Sequence, residues 1–188
     1  MKGFILGILA AVVFCALTAF VGVKTGTLIP ANADAKPGAL ETWAAKTSLN
    51  ASIKREAPAT ADPVALNDQN LTQGVKLYGE NCAVCHGVSN GRPSTIAFGL
   101  YQKAPQLAKH GVEDDPAGET YWKIKHGIRM TGMPAFTATL DDTQIWQLAL
   151  FLKHMDSLPP GPQKVWKAQK NPGLLVPKEK LPSPPPRK

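Results

Sequence analysis

The sequence predicts an all-α fold, and three observations carry that expectation. Two segments, 71–82 and 139–155, repeat their apolar residues at helical spacing. Residues 3–23 form one uninterrupted run without a charge. No stretch alternates apolar and polar residues as a half-buried strand would, and no internal repeat emerges.

The first element is the apolar run itself, GFILGILAAVVFCALTAFVGV, flanked by Lys2 and Lys24. A helix of this length spans about 32 Å, close to the hydrocarbon thickness of a bilayer. Residues 1–24 therefore read as a transmembrane anchor. A cleaved signal is the alternative, although the nearest Ala-x-Ala site, Ala33-Asp34-Ala35, lies ten residues beyond the run. Residues 25–66 follow as a linker with a possible short helix at 39–57, which has Leu40, Trp43 and Ala44 on one face and Pro58 at its end. The linker reads as a tether, with docking to a membrane partner as the second reading.

The folded domain is expected over residues 67–158. In its first helix Leu71, Val75 and Tyr78 share a face, and Asn70 or Thr72 is the expected N-cap. A shorter helix is expected at 118–127, closed by Gly127. In the last helix Asp141 and Gln144 have capping-box spacing, and Ile145, Leu148, Ala149 and Leu152 recur at i, i+3, i+4 and i+7. Residues 159–188 carry nine prolines and seven basic residues and read as an extended, solvated tail, with Val165-Trp166 and Leu174-Leu175-Val176 as its adhesive points.

Charge is distributed unevenly. The total is +7, but residues 66–158 carry eight basic and nine acidic groups, net −1, whereas residues 159–188 carry seven basic groups and one acidic, net +6. The basic character belongs to the tail. Neither a basic folded face with interleaved aromatics nor a nucleic-acid motif is present, so a nucleic-acid partner is not expected.

Of the three cysteines, Cys15 lies in the apolar run and acts there as a small hydrophobe. Cys82 and Cys85 stand in NCAVCHG (81–87), immediately before His86. Structural zinc needs a second pair of ligands, and the remaining histidines, His110, His126 and His154, are scattered singly. A thioredoxin-type disulfide sits after a strand in a βαβ unit, whereas this motif follows a helix. Cys-x-x-Cys-His is also the attachment signal for a c-type haem. Two thiols at that spacing reach the two vinyl groups of a porphyrin, and the adjacent histidine is delivered to the iron. Such attachment takes place outside the bacterial cytoplasm, and the N-terminal segment provides for export.

Iron held on one side only binds gases or peroxides, while iron capped on both sides transfers electrons. Met130, Met133 and Met155 are the soft candidates for a sixth ligand. Met133, in TGMPAF just before the last helix and stiffened by Pro134, is the preferred one.

With NCAVCHG, the loops that follow it, GMPAF and a terminal helix, residues 67–158 resemble a class I, mono-haem cytochrome c of the membrane-anchored bacterial type. The resemblance implies a small all-α fold wrapped around one covalently attached haem c, with Cys82 and Cys85 bound to it and His86 and Met133 as the metal ligands. It implies that the first and last helices cross closely, with Gly74 and Tyr78 meeting Trp146. It puts Pro105, in APQL, at the histidine as acceptor of its Nδ1–H, and Tyr121, Trp122 and Arg129 on the propionate side.

The function implied is one-electron transfer on the periplasmic side of the inner membrane, by a single-pass protein or, if the anchor is cleaved, a soluble periplasmic one. Its partners would be membrane-bound electron donor and acceptor proteins, with no small-molecule substrate and no enzymatic step. The alternative is a fixed cytochrome subunit of a membrane dehydrogenase or oxidase. A haem gas sensor or peroxidase stands behind both.

Overall fold

The protein is described here by a computed structural model covering residues 2–28, 30–60, 62–109 and 111–177. The chain divides into two compact units, Met1–Lys36 and Pro37–Lys188. Among the described residues the regular structure is entirely helical, apart from one isolated antiparallel bridge between Ser94 and Leu175.

In the first unit, α1 (Lys2–Lys24) has a mean hydropathy of 2.8 and is long and apolar enough to cross a membrane. Its side chains are exposed all round, so the helix is packed into no core of its own unit. Thr18 returns its hydroxyl to the carbonyls of Phe14 and Cys15, so the hydroxyl costs little in an apolar medium. Gly26, at φ +68°, turns the chain at the helix end.

The second unit contains α2 (Ala39–Glu56), α3 (Asp68–Asn81), α4 (Ala83–His86), α5 (Thr95–Gly99), α6 (Ala117–His126), α7 (Asp142–Lys153) and α8 (Pro160–Ala168). The core is built where α3 crosses α7, with α6 packed on α7 and α8 on α3. Gly74 makes the crossing possible. A Cβ there would lie 2.2 Å from the Gln147 carbonyl oxygen and 2.7 Å from Phe151 Cβ, so only hydrogen fits. Leu71, Val75 and Tyr78 bury the face expected of them. The N-cap differs from the expectation. Asn67, rather than Asn70 or Thr72, caps α3 by accepting from the Asn70 N–H at 2.9 Å. The Asp141–Gln144 capping box of α7 is formed reciprocally, and Gly127, at φ +64°, closes α6.

Two regions outside the predicted core are more ordered than composition suggests. The helix within the expected tether, α2, is packed against α6. Ile53 is buried, and the Trp122 indole N–H donates to Glu56 Oε2 at 3.2 Å. A Cβ on Gly118 would meet the Pro58 carbonyl oxygen, so α6 admits the chain leaving α2 only because that position is glycine. At the other end of α2, the Tyr101 hydroxyl donates to Glu41 at 2.6 Å.

The second correction concerns the expected extended tail. Residues 160–168 are the helix α8, with Pro160 and Pro162 in its first turn, where a missing N–H breaks no hydrogen bond. Trp166 is buried against Tyr78 and Phe151, and the three rings pack edge to face with centroids 5.3–5.4 Å apart. Residues 169–177 then run extended over the domain. The remainder of the predicted tail, 178–188, lies outside the described residues. Tyr78 consequently meets Phe151 and Trp166 rather than Trp146, which instead stacks on Tyr121 at 4.2 Å.

Candidate functional site

The last turn of α3 runs directly into the Cys-x-x-Cys-His segment. Cys82 is the C-cap of α3, and Cys82 to His86 form one tight helical turn through Cys85 N–H and His86 N–H to the Cys82 carbonyl. Gly87, at φ +75°, ends it. The turn is fastened on three sides. The buried Tyr78 hydroxyl donates to the Gly87 carbonyl at 2.9 Å, the Ser94 hydroxyl donates to the Val84 carbonyl, and Gln106 Nε2 donates to the Cys85 carbonyl at 3.0 Å. None of these three side chains was singled out by sequence as a support of the turn. Each is an ordinary polar residue whose role exists only once the loops are folded over the motif.

The Ala104–Leu107 loop lies along the histidine. The Leu107 N–H donates to the His86 carbonyl at 3.2 Å, and His86 Nδ1 lies 2.9 Å from the Pro105 carbonyl oxygen. A carbonyl can only accept, so Nδ1 must carry the proton. That fixes the tautomer with an unprotonated Nε2, which is the form that binds a metal. Burial lowers the His86 pKa, with the Pro105 bond opposing, and so favours the neutral ring.

The two cysteines are free thiols. Burial pushes the Cys82 pKa up to about 12, with Cys85 adding to the shift, and burial also raises that of Cys85. A redox-active dithiol needs its attacking sulfur made more acidic, not less. The environment therefore opposes thiol chemistry and suits sulfurs consumed in a covalent bond.

The Met133 segment is tied to the end of α6. Ile128 N–H donates to the Met133 carbonyl at 3.1 Å, Phe136 N–H to Ile124 at 3.3 Å and Thr137 N–H to Lys125 at 3.2 Å. Gly127 lets this loop close up, because a Cβ there would be 2.5 Å from the Pro134 carbonyl carbon. Met133 and Cys82 are both half-buried and pack against the same apolar core. The other methionines are placed differently. Met130 is 90% exposed, and Met155 is buried within the core.

Not every candidate joins this site. Trp122 directs its indole N–H to Glu56 on α2 and its ring towards His126, 5.2 Å between centroids. Arg129 is exposed and makes no hydrogen bond among the described residues. Tyr121 donates to Asp142 at 2.8 Å and accepts from Lys125 at 2.8 Å, so its hydroxyl is used inside the fold. His126 is exposed, His154 caps the end of α7, and His110 lies outside the described residues.

Residues 69–152 match the sequence family described as Cytochrome C oxidase, cbb3-type, subunit III. Over these residues the chain is similar to a class I, mono-haem cytochrome c. Two similar curated proteins carry the name cytochrome c6, from Parathermosynechococcus lividus and Synechococcus elongatus. Each is 29% identical over 83 residues, which is 44% of this chain and 87% of the relative. The cytochrome c family implies a covalently bound haem c. The residues present fit it. Two thiols stand three apart on one turn, a neutral imidazole has Nε2 free, and a half-buried thioether packs on the core shared with Cys82. Among the described residues no cluster of three or more His, Cys, Asp or Glu side chains offers a separate metal site.

Proposed function

We propose that this cytochrome is a membrane-anchored, one-electron carrier whose haem domain faces the periplasm. In this reading Cys82 and Cys85 would hold the haem through thioether bonds, and His86 and Met133 would bind its iron. The observation that carries it is the His86–Pro105 contact. It presets the imidazole as a neutral donor and fixes the ring plane by a group on a separate loop. The haem supplies a centre that takes up and gives back one electron. The protein holds that centre rigid, keeps water from it with an apolar lining, and with a sulfur ligand favours the reduced state. Pro105 and Gln106 steady the histidine side, and the hydrogen-bonded loop after Gly127 steadies Met133.

The test is the visible spectrum of the reduced full-length protein before and after carbon monoxide. An unchanged spectrum is expected, because in this reading His86 and Met133 would both hold the iron. A shifted spectrum would mean that Met133 does not hold the iron, and sensing or catalysis would replace electron transfer.

A second reading, a fixed subunit of a membrane oxidase or dehydrogenase, is favoured by the description of the matching family and by α2 and α8, which lie outside the matched residues. The two readings part on purification in mild detergent: the carrier runs alone, whereas the subunit co-purifies in stoichiometric amount with larger membrane proteins.

A further inference from the structure

The helix α2 stands outside the residues that match the cytochrome family, yet the domain grips it at both ends. Its sequence holds two carboxylates, Glu41 in the first turn and Glu56 at the last position. Their separation along the helix is about 22 Å. Each accepts a hydrogen bond from the domain, Glu41 from the Tyr101 hydroxyl at 2.6 Å and Glu56 from the Trp122 indole N–H at 3.2 Å. Between the two grips little apolar surface turns inward. Ile53 is buried and Leu49 half-buried, whereas Leu40 and Trp43 are 75% and 64% exposed. The end contacts therefore decide how α2 is seated.

Both grips lie beside the segments that carry the proposed iron ligands. Tyr101 stands in the loop after α5, which Lys103 bends back by donating to the Phe98 carbonyl at 2.7 Å. Pro105, whose carbonyl meets His86 Nδ1, follows in the same loop. Leu100, bonded to Tyr101, lies on Gly132. A Cβ at Gly132 would be 2.6 Å from Leu100 Cδ2 and 3.1 Å from Leu100 Cδ1, and Gly132 is bonded to Met133. At the other grip, Trp122 stands one helical turn before His126, the last residue of α6. The Met133 loop hangs from that end of α6 through Ile128, Phe136 and Thr137.

A tether needs none of these contacts. We propose, on the electron-transfer reading above, that α2 is a brace for the two ligand loops, with Glu41 and Tyr101 as its positioning residues. Holding Tyr101 steadies the backbone that leads to Pro105 and, through Leu100, limits the travel of Gly132 and Met133. Holding Trp122 steadies the end of α6 from which the second loop hangs. The bond to Glu41 also pushes the Tyr101 pKa up to about 12, so the phenol remains the donor at neutral pH.

The test uses the haem-loaded full chain in mild detergent and reads two quantities. One is hydrogen exchange at the Ile128, Phe136 and Thr137 N–H groups, which close the Met133 loop. The other is the affinity of the ferric protein for added imidazole, which on this reading must displace Met133 to reach the iron. Tyr101→Phe and Glu41→Leu should each raise both by about threefold or more. The double variant should be no worse than either single one, because both remove the same bond. Glu41→Gln keeps an acceptor and should stay closer to the parent than Glu41→Leu. Leu100→Ala should loosen the Met133 loop while exchange in α2 stays parental. Parental exchange and imidazole affinity in Tyr101→Phe would overturn the proposal. So would additive effects in the double variant, or a Glu41→Gln indistinguishable from Glu41→Leu. Carbon monoxide binding by the parent would instead sink the carrier reading. Exchange in the loop does not depend on what holds the iron, so the two failures are distinguishable.

Discussion

Replacing Gly127 with alanine should loosen the Met133 loop specifically, and the size of the effect follows from the contacts. The residue sits at φ +64°, where a Cβ costs on the order of 1 kcal/mol. The new methyl would also lie 2.5 Å from the Pro134 carbonyl carbon, 2.6 Å from its oxygen and 2.7 Å from Ala135 N. All three are backbone atoms, so no rotamer change relieves the clash, and overpacking of this kind adds about 1–3 kcal/mol. Reaching an ordinary contact requires the chain at Pro134 to retreat by about 1 Å, and Met133 is bonded directly to it. The hydrogen bonds from Phe136 and Thr137 to α6, already at 3.3 and 3.2 Å, are the ones that would stretch. A loss of about 2–4 kcal/mol should lower the melting temperature by roughly 5–15 °C. The decisive assay is carbon monoxide binding to the reduced protein, which should appear in Gly127→Ala and be absent from the parent. Gly74→Ala serves as the control, because it obstructs the α3–α7 crossing: it should lower the melting temperature and leave the protein insensitive to carbon monoxide. If Gly127→Ala melts like the parent and ignores carbon monoxide, the account of the loop is wrong.

Further outcomes are expected elsewhere in the domain. Trp166→Ala should cost about 3–5 kcal/mol in thermal or urea unfolding, because the ring is buried between Tyr78 and Phe151; a loss under 1 kcal/mol would show α8 to be an ornament of the surface. Trp122→Phe keeps an aromatic side chain and removes the donor to Glu56, so hydrogen exchange in α2 should quicken while that of α7 stays unchanged. Asp62 has one carboxylate oxygen bonded to the Val64 N–H at 2.8 Å and the other buried without a partner among the described residues, and burial raises its pKa despite the Val64 bond and His154. A raised folded pKa means that this group favours the fold below its unfolded value and that the contribution is lost as pH rises through the folded value. Asp62→Asn should therefore be more stable than the parent at pH 7, with the gain vanishing at acid pH, and a gain independent of pH would contradict the assignment.

The helices announced by periodicity and caps were legible because their causes are local. Asp141 and Gln144 form the box that their spacing implies, and Gly127 ends α6 where its backbone freedom is needed. The attachment motif was legible for the same reason, since its chemistry is contained in five consecutive residues. What escaped was decided by packing at a distance. Three prolines near residue 160 resemble disorder in composition, yet two fall in the first turn of α8, and burial of Trp166 against α3 outweighs the weak propensity. The pairing of Tyr78 with Phe151 rather than Trp146 depends on which face of α7 the close approach at Gly74 presents. For α2, neither Ile53 nor Glu56 signals from sequence that α6 will receive it, and the groove at Gly118 exists only in the assembled structure.

The extended segment 169–177 imposes an order of assembly. Its bond from Arg92 to Val176 joins residues 84 apart, and that from Gln169 to Val75 joins residues 94 apart. Contacts of such separation close only after the intervening chain is made and its loop entropy overcome. The Cys82–His86 turn, by contrast, is complete within five residues and lies upstream of everything that covers it. A chain emerging from its amino end therefore presents both thiols before the last segment can fold across Val84 and Ser94. Timing covalent haem attachment against protection of the 171–176 backbone would register that order directly. On this order the carboxyl end would act as a closure, folding over the turn after its thiols have been presented.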